Sequence, residues 1–198
     1  MRVVAVVLAL SAFPLFGQSN EVAVWAGGSR VGTTNTAGSE VHFDNGNALG
    51  ISFTHFFSDH YAAEIAAFSL RHDGTIRIGG VDALDIGRLR MTPIVATLQW
   101  HAEHARRFDP YAGGGLAYVR SNSIHSADLE NAGIGRVNVK SRIGWTGLVG
   151  GSYAFMKPLA VAAEARYIGY QPVSGPAENS LRLQLSPVVY SVGLRWRF

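Results

Sequence analysis

The residues with the types for chemistry are seven histidines and the serines and acids near them. His72-Asp73 and the Ser123/His125 pair could each be drawn as a hydrolytic dyad, a base beside a nucleophile or an orienting acid. Neither has a third member at triad spacing, and His42, His72 and His125 fall in or beside polar connecting segments. They read as solvated loop residues, and the chain is not expected to be an enzyme. No two histidines fall at metal-ligand spacing on one strand face, and cysteine is absent. That excludes a thiolate zinc site, a disulfide framework, a lipoprotein anchor and a cysteine nucleophile. No cofactor is therefore expected. A formal charge of +3, scattered along the chain, is too weak for a nucleic-acid partner. What remains is a set of charged and amide side chains on the polar faces of otherwise apolar segments: Glu64, Gln99, Glu164, Arg166, Arg195 and Arg197.

Those segments have a period of two. Leu49, Ile51, Phe53 and Phe57 share a face with His55, opposite Gly50, Ser52 and Thr54, and Tyr61, Ala63, Ile65 and Ala67 oppose Ala62, Glu64, Ala66 and Phe68. From Ile94, Ile94, Ala96, Leu98 and Trp100 alternate with Val95, Thr97, Gln99 and His101. In the last segment Val188, Tyr190, Val192, Leu194, Trp196 and Phe198 alternate with Val189, Ser191, Gly193, Arg195 and Arg197. Strict alternation marks strands with one oily and one polar face. Counting from Val22, Leu49, Tyr61, Met91, Tyr111, Arg142, Leu159 and Leu185 gives eight segments. The connectors Ser58–His60, Glu103–Asp109 and Met156–Pro158 are short. Ser29–Asn47, Arg71–Arg90, Ser121–Ser141 and Gln171–Gln184 are long. Alternating short turns and long loops, with an even strand number, are the pattern of a transmembrane barrel. The fold expected is all-β: an eight-stranded antiparallel transmembrane β-barrel spanning 20–198.

Residues 1–19 have the form of a cleavable signal peptide: Arg2, an apolar run from Val3 to Leu10, then Pro14 and small residues to Ser19. Cleavage after Gly17 or Ser19 fits, and export without a retaining cysteine leads to the outer membrane once the strands are considered. Trp196 and Phe198 close the last strand at the inner interface and read as a signal for the machinery that assembles such barrels. Membrane lipid is then the first partner, and a monomer the expected state. A barrel of eight strands is filled by its own side chains, so a wide aqueous pore is disfavoured. The inward charges lie near the short turns, where opposite signs can pair, because an unpaired buried charge costs several kcal/mol. Such a network either holds the barrel shut or forms the floor of a cavity. Trp25, Phe68, Val95 and Leu148 would line the apolar space above it. Pro93, which cannot donate a ladder hydrogen bond, either weakens strand pairing there or marks a strand start.

Several runs resemble the outer membrane protein W (OmpW) family, from about Glu21 to Phe198. They are Asp59 to Ala67 continuing to Arg71-His72-Asp73, Pro93 to Gln99, Pro110-Tyr111-Ala112-Gly113-Gly114-Gly115-Leu116-Ala117-Tyr118, Trp145 to Tyr153, and Glu164-Ala165-Arg166-Tyr167-Ile168. The chain departs from that pattern in having one proline where the family usually has two (Met91-Thr92-Pro93), and in Trp25, where a polar or basic residue is commoner. The resemblance implies passage of small, mainly hydrophobic molecules through a narrow lumen, with exit sideways into the bilayer between strands. The alternatives are adhesion or recognition through the long loops, a purely structural barrel, and, less favoured, a lipid-modifying enzyme.

Overall fold

A computed structural model describes residues 19–32, 34–36, 39–78, 81–102, 107–122, 141–170, 173–174, 181–182 and 185–198. The signal segment through residue 18, the 123–140 connection and hence Ser123 and His125 lie outside the described residues.

Eight long strands form the ring: β1 (Asn20–Arg30), β4 (Gly46–Phe56), β5 (Tyr61–Ile78), β6 (Val81–His101), β7 (Phe108–Ser121), β8 (Arg142–Met156), β9 (Leu159–Gly169) and β12 (Val188–Arg197). Short strands β2 (Thr34–Thr36) and β3 (Ser39–Phe43) lie between β1 and β4, and β10 (Val173–Ser174) and β11 (Leu181–Arg182) between β9 and β12. Each long strand pairs antiparallel with its sequence neighbours in the ring. β1 meets β12 from Glu21–Arg197 to Arg30–Val188, and that pairing closes the barrel. Closure leaves no unpaired edge, which is what a sheet needs in a solvent that cannot hydrogen-bond.

Side chains sort as the alternation requires. Val24, Ile51, Ile65, Leu98, Leu116, Val149, Val161 and Val192 stand exposed on the outside, while charged and hydroxyl residues are buried within. So much contiguous apolar surface would be an aggregation site in water, whereas acyl chains solvate it. Aromatic girdles bound the belt. Tyr61, Trp100, Phe108, Trp196 and Phe198 lie at the end with the short turns, and Tyr118, Trp145, Tyr167 and Tyr190 toward the other.

The Arg71–Arg90 segment, expected as a loop, is instead the continuation of a hairpin, with β5 running on to Ile78 and β6 beginning at Val81. β3 takes over from β4 along β5, pairing Phe43 with Gly74. The apolar signature is lost there because Arg71 stands at the edge of the lipid belt and Asp73 beyond it, while Leu70 and His72 still point inward. Strand bounds shift elsewhere too: β4 begins at Gly46 and β7 at Phe108, earlier than Leu49 and Tyr111, and β12 at Val188, later than Leu185.

Candidate functional site: the barrel interior

The inward residues divide the lumen into two layers. On the side of the short turns lies the charge network. Arg166 Nη2 donates to Glu64 Oε1 at 2.5 Å and Nε to Glu164 Oε1 at 2.7 Å, joining β9 to β5 across the barrel. Thr97 donates to Glu64 at 3.3 Å, and the Tyr111 hydroxyl donates to Glu164 at 3.3 Å. Arg195 and Arg197 both reach Glu21, at 3.3 and 2.6 Å. His101 Nδ1–H donates to Asp109 at 2.7 Å, its Nε2 faces Gln99 Oε1 at 3.1 Å, and its ring stacks on Tyr111. Low local dielectric strengthens each of these bonds and makes each loss costly.

Of the sequence-predicted network, Glu64, Glu164 and Arg166 come together directly, Arg195 and Arg197 meet on Glu21, and Gln99 joins the His101 group. Sequence reasoning left Glu21, Tyr111 and Asp109 out of this network, and His101 too, although alternation had put His101 on the inward face. Glu21 was legible in principle, since it shares the parity of Ala23 and Trp25. Among the described residues, four buried atoms in this layer have no protein partner: Glu64 Oε2, Gln99 Nε2, Arg166 Nη1 and Arg195 Nη2. A cavity of about 50 Å³ lies at the mouth, lined by Glu21, Arg195, Arg197 and the Met156–Pro158 turn.

An aromatic deck caps the charges. The Arg166 guanidinium lies 5.3 Å from the Phe68 ring centroid, and that of Arg195 5.4 Å from Trp25 and 4.4 Å from Tyr111. Cation–π attraction is strongest where water is excluded, as here. The register explains how three large rings fit in an eight-stranded lumen: each faces a glycine on the next strand, Trp25 opposite Gly193, Phe68 opposite Gly50 and Tyr111 opposite Gly150. A Cβ on any of those glycines would come within 2.5 Å of the ring it faces. The indole of Trp25 also donates to Ser52 Oγ at 3.0 Å, which fixes its tilt.

Beyond the deck the interior is mainly apolar, with Leu70, Leu89, Met91, Val119, Ile168, Leu185 and Val189. Val95 pairs with Ala66, one inward position below Phe68 and one above the Glu64–Thr97 pair. Leu148 is buried lower down, opposite Arg166 in the β8–β9 ladder. Pro93 points inward from β6 and pairs with Val119 of β7. On its other side the β5–β6 ladder passes from Ala67–Ile94 directly to Leu70–Met91, leaving Phe68 and Ser69 without ladder partners beside Pro93 and Thr92. The missing amide proton of Pro93 removes the donor that position would offer.

His72, expected in or beside a loop, is buried on β5 near the external end. Its Nε2 lies 2.9 Å from Ser29 Oγ of β1, and its Nδ1–H donates to the Asp44 carbonyl at 3.0 Å. Burial pushes its pKa below the ordinary value, against the smaller opposing effects of the Asp44 carbonyl and Asp73. Its Asp73 neighbour instead faces out, bonded to Arg88 at 2.8 Å. The imidazole therefore ties β1, β5 and the β3–β4 connection together. Among the described residues no three His, Asp or Glu side chains are grouped to hold a metal ion.

A closed eight-stranded ring with a lipid-compatible outside and paired charges within defines a bacterial outer-membrane β-barrel. The sequence profile of the OmpW family matches residues 15–198, and the chain belongs to the OmpW family. It is 24% identical over 168 residues to the uncharacterised outer-membrane protein y4mB of Sinorhizobium fredii, covering 81% of this chain and 70% of that one. Its fold is similar to the crystal structure of the outer membrane protein OprG from Pseudomonas aeruginosa, with TM-score 0.74, 18% identity, and 92% and 96% of the two chains covered. The NMR structure of outer membrane protein W from E. coli is similar at TM-score 0.51 and 22% identity, with 90% and 98% covered. The protein resides in the outer membrane.

Proposed function

We propose that the barrel admits small, mainly hydrophobic molecules into the apolar external layer of its lumen and releases them sideways into the bilayer between β5 and β6. The observation that carries this reading is the gap in the β5–β6 ladder beside Pro93, with the buried ring of Phe68 at its inner side. Below the chamber the Glu64–Arg166–Glu164 bridge and the aromatic deck obstruct the axis. An apolar solute would have to displace paired buried charges to continue downward, whereas the lateral route passes uncharged side chains, Phe68 and Pro93 inside and Ser69 and Thr92 outside. Trp25, Phe68, Pro93 and Val95 remain the candidate solute-facing set, residues 1–19 remain the export signal, and Leu148, expected to line the same space, is instead level with the Arg166 bridge. Trp196 and Phe198, whose rings lie 6.0 Å apart on the outer face, are the candidate assembly signal.

The test is flux into proteoliposomes with a panel of small apolar and polar compounds. Apolar compounds enter faster than into protein-free vesicles, polar compounds do not, and Pro93→Ala, which restores an amide donor, slows the apolar ones. Flux equal to that of protein-free vesicles for every compound removes the transport reading.

A further inference from the structure

The outer wall carries an arrangement that lumen transport does not use. Arg71 of β5 and Arg90 of β6 are direct cross-strand partners, and Arg120 of β7 pairs with Thr92, one diagonal step from Arg90. All three are exposed and share the parity of the lipid-facing residues on their strands, Ala67, Ile94 and Tyr118. Like charges directly opposite each other in an antiparallel pair repel. Among the described residues no carboxylate bridges any of the three, whereas nearby Arg88 is neutralised by Asp73 at 2.8 Å. The cluster is thus a concentrated positive patch just above the apolar belt, with the Arg88–Asp73 pair beyond it.

Its height identifies the neighbour. Arg71 lies ten positions after Tyr61, and Arg90 ten before Trp100, both of which sit in the girdle at the short-turn end. Ten residues of tilted strand rise roughly 25 Å, the height of a barrel's apolar band. The three guanidinium groups therefore stand at the upper edge of the belt, at headgroup level of the outer leaflet. Ile94, Leu116 and Tyr118 lie exposed directly beneath them.

We propose that Arg71, Arg90 and Arg120 form a binding surface for the phosphorylated headgroup of an outer-leaflet lipid, whose acyl chains lie against Ile94, Leu116 and Tyr118. Guanidinium forks match phosphate oxygens in a bidentate manner, and a multiply charged anion converts the Arg71–Arg90 repulsion into attraction. An amphiphile satisfies both halves of the surface at once, which a soluble anion cannot.

The test uses the folded barrel in phosphatidylcholine nanodiscs doped with a bisphosphorylated diglucosamine lipid, or with the same lipid stripped of its phosphates, reading retained lipid by native mass spectrometry. The phosphorylated lipid is retained, and the Arg71→Gln/Arg90→Gln/Arg120→Gln variant retains on the order of tenfold less. Arg90→Gln alone keeps the fold testable: it binds less lipid, yet unfolds at a higher temperature than the parent in neutral detergent, because the like-charge pair is gone. Equal retention of the phosphate-free lipid, or by the triple variant, overturns the proposal. So does matching thermal protection of the detergent-solubilised barrel by inorganic phosphate alone, which would make this a site for a soluble anion.

Discussion

The two layers of the lumen are held by opposite means. Near the short turns, stability depends on paired charges in fixed geometry, with Arg166 alone bridging two carboxylates from two strands. Toward the outside, Leu70, Met91, Val119 and Val189 fill space without direction. A charge network tolerates no missing member, because the survivors stay buried without a partner, while an apolar layer loses only the contacts of the side chain removed. The first layer suits a fixed floor, and the second, on the reading proposed above, the space that a solute enters. Trp25, Phe68 and Tyr111 belong to both, with guanidinium groups against their faces and glycines behind them.

Substitutions in each layer sharpen that contrast. Arg166→Met strands Glu64 and Glu164 in the interior and is expected to lower unfolding stability by about 4 kcal/mol, read by urea titration in micelles. Leu70→Ala leaves a cavity above the deck and costs about 3 kcal/mol in the same assay. If the two losses were reversed in order, the floor would not be the more demanding layer. The smallest effect lies at the external rim. Because the buried His72 has a depressed pKa, the unfolded chain binds more protons than the folded one as pH falls below about 6.5. Stability therefore declines from neutral pH toward pH 5, and His72→Gln flattens that part of the profile.

How far the sequence was legible follows the same division. Within the lipid belt, alternation gave all eight strands and the inward parity of Glu64, Glu164, Arg166 and Arg195, because one face is solvated by acyl chains and the other is not. Outside the belt that contrast vanishes. Arg71 and Asp73 look like loop residues although β5 continues through them, and His72 was placed in the loop with them. At the other end alternation placed His101 inward but not its partners: Tyr111 and Asp109 sit where strand meets turn, and nothing local to Asp109 distinguishes a buried partner from a turn residue. The pairing of each large ring with a glycine depends on register, as does the ladder gap beside Pro93, and register is a property of two strands at once.

The most direct measurement exploits the absence of cysteine. Ser69→Cys and Thr92→Cys would place thiols on either side of the ladder gap, close enough for a disulfide to fasten β5 to β6. Apolar flux into proteoliposomes should fall toward the protein-free rate when the pair is oxidised and recover on reduction, if solute leaves through that seam. Undiminished flux through the oxidised barrel would contradict the account.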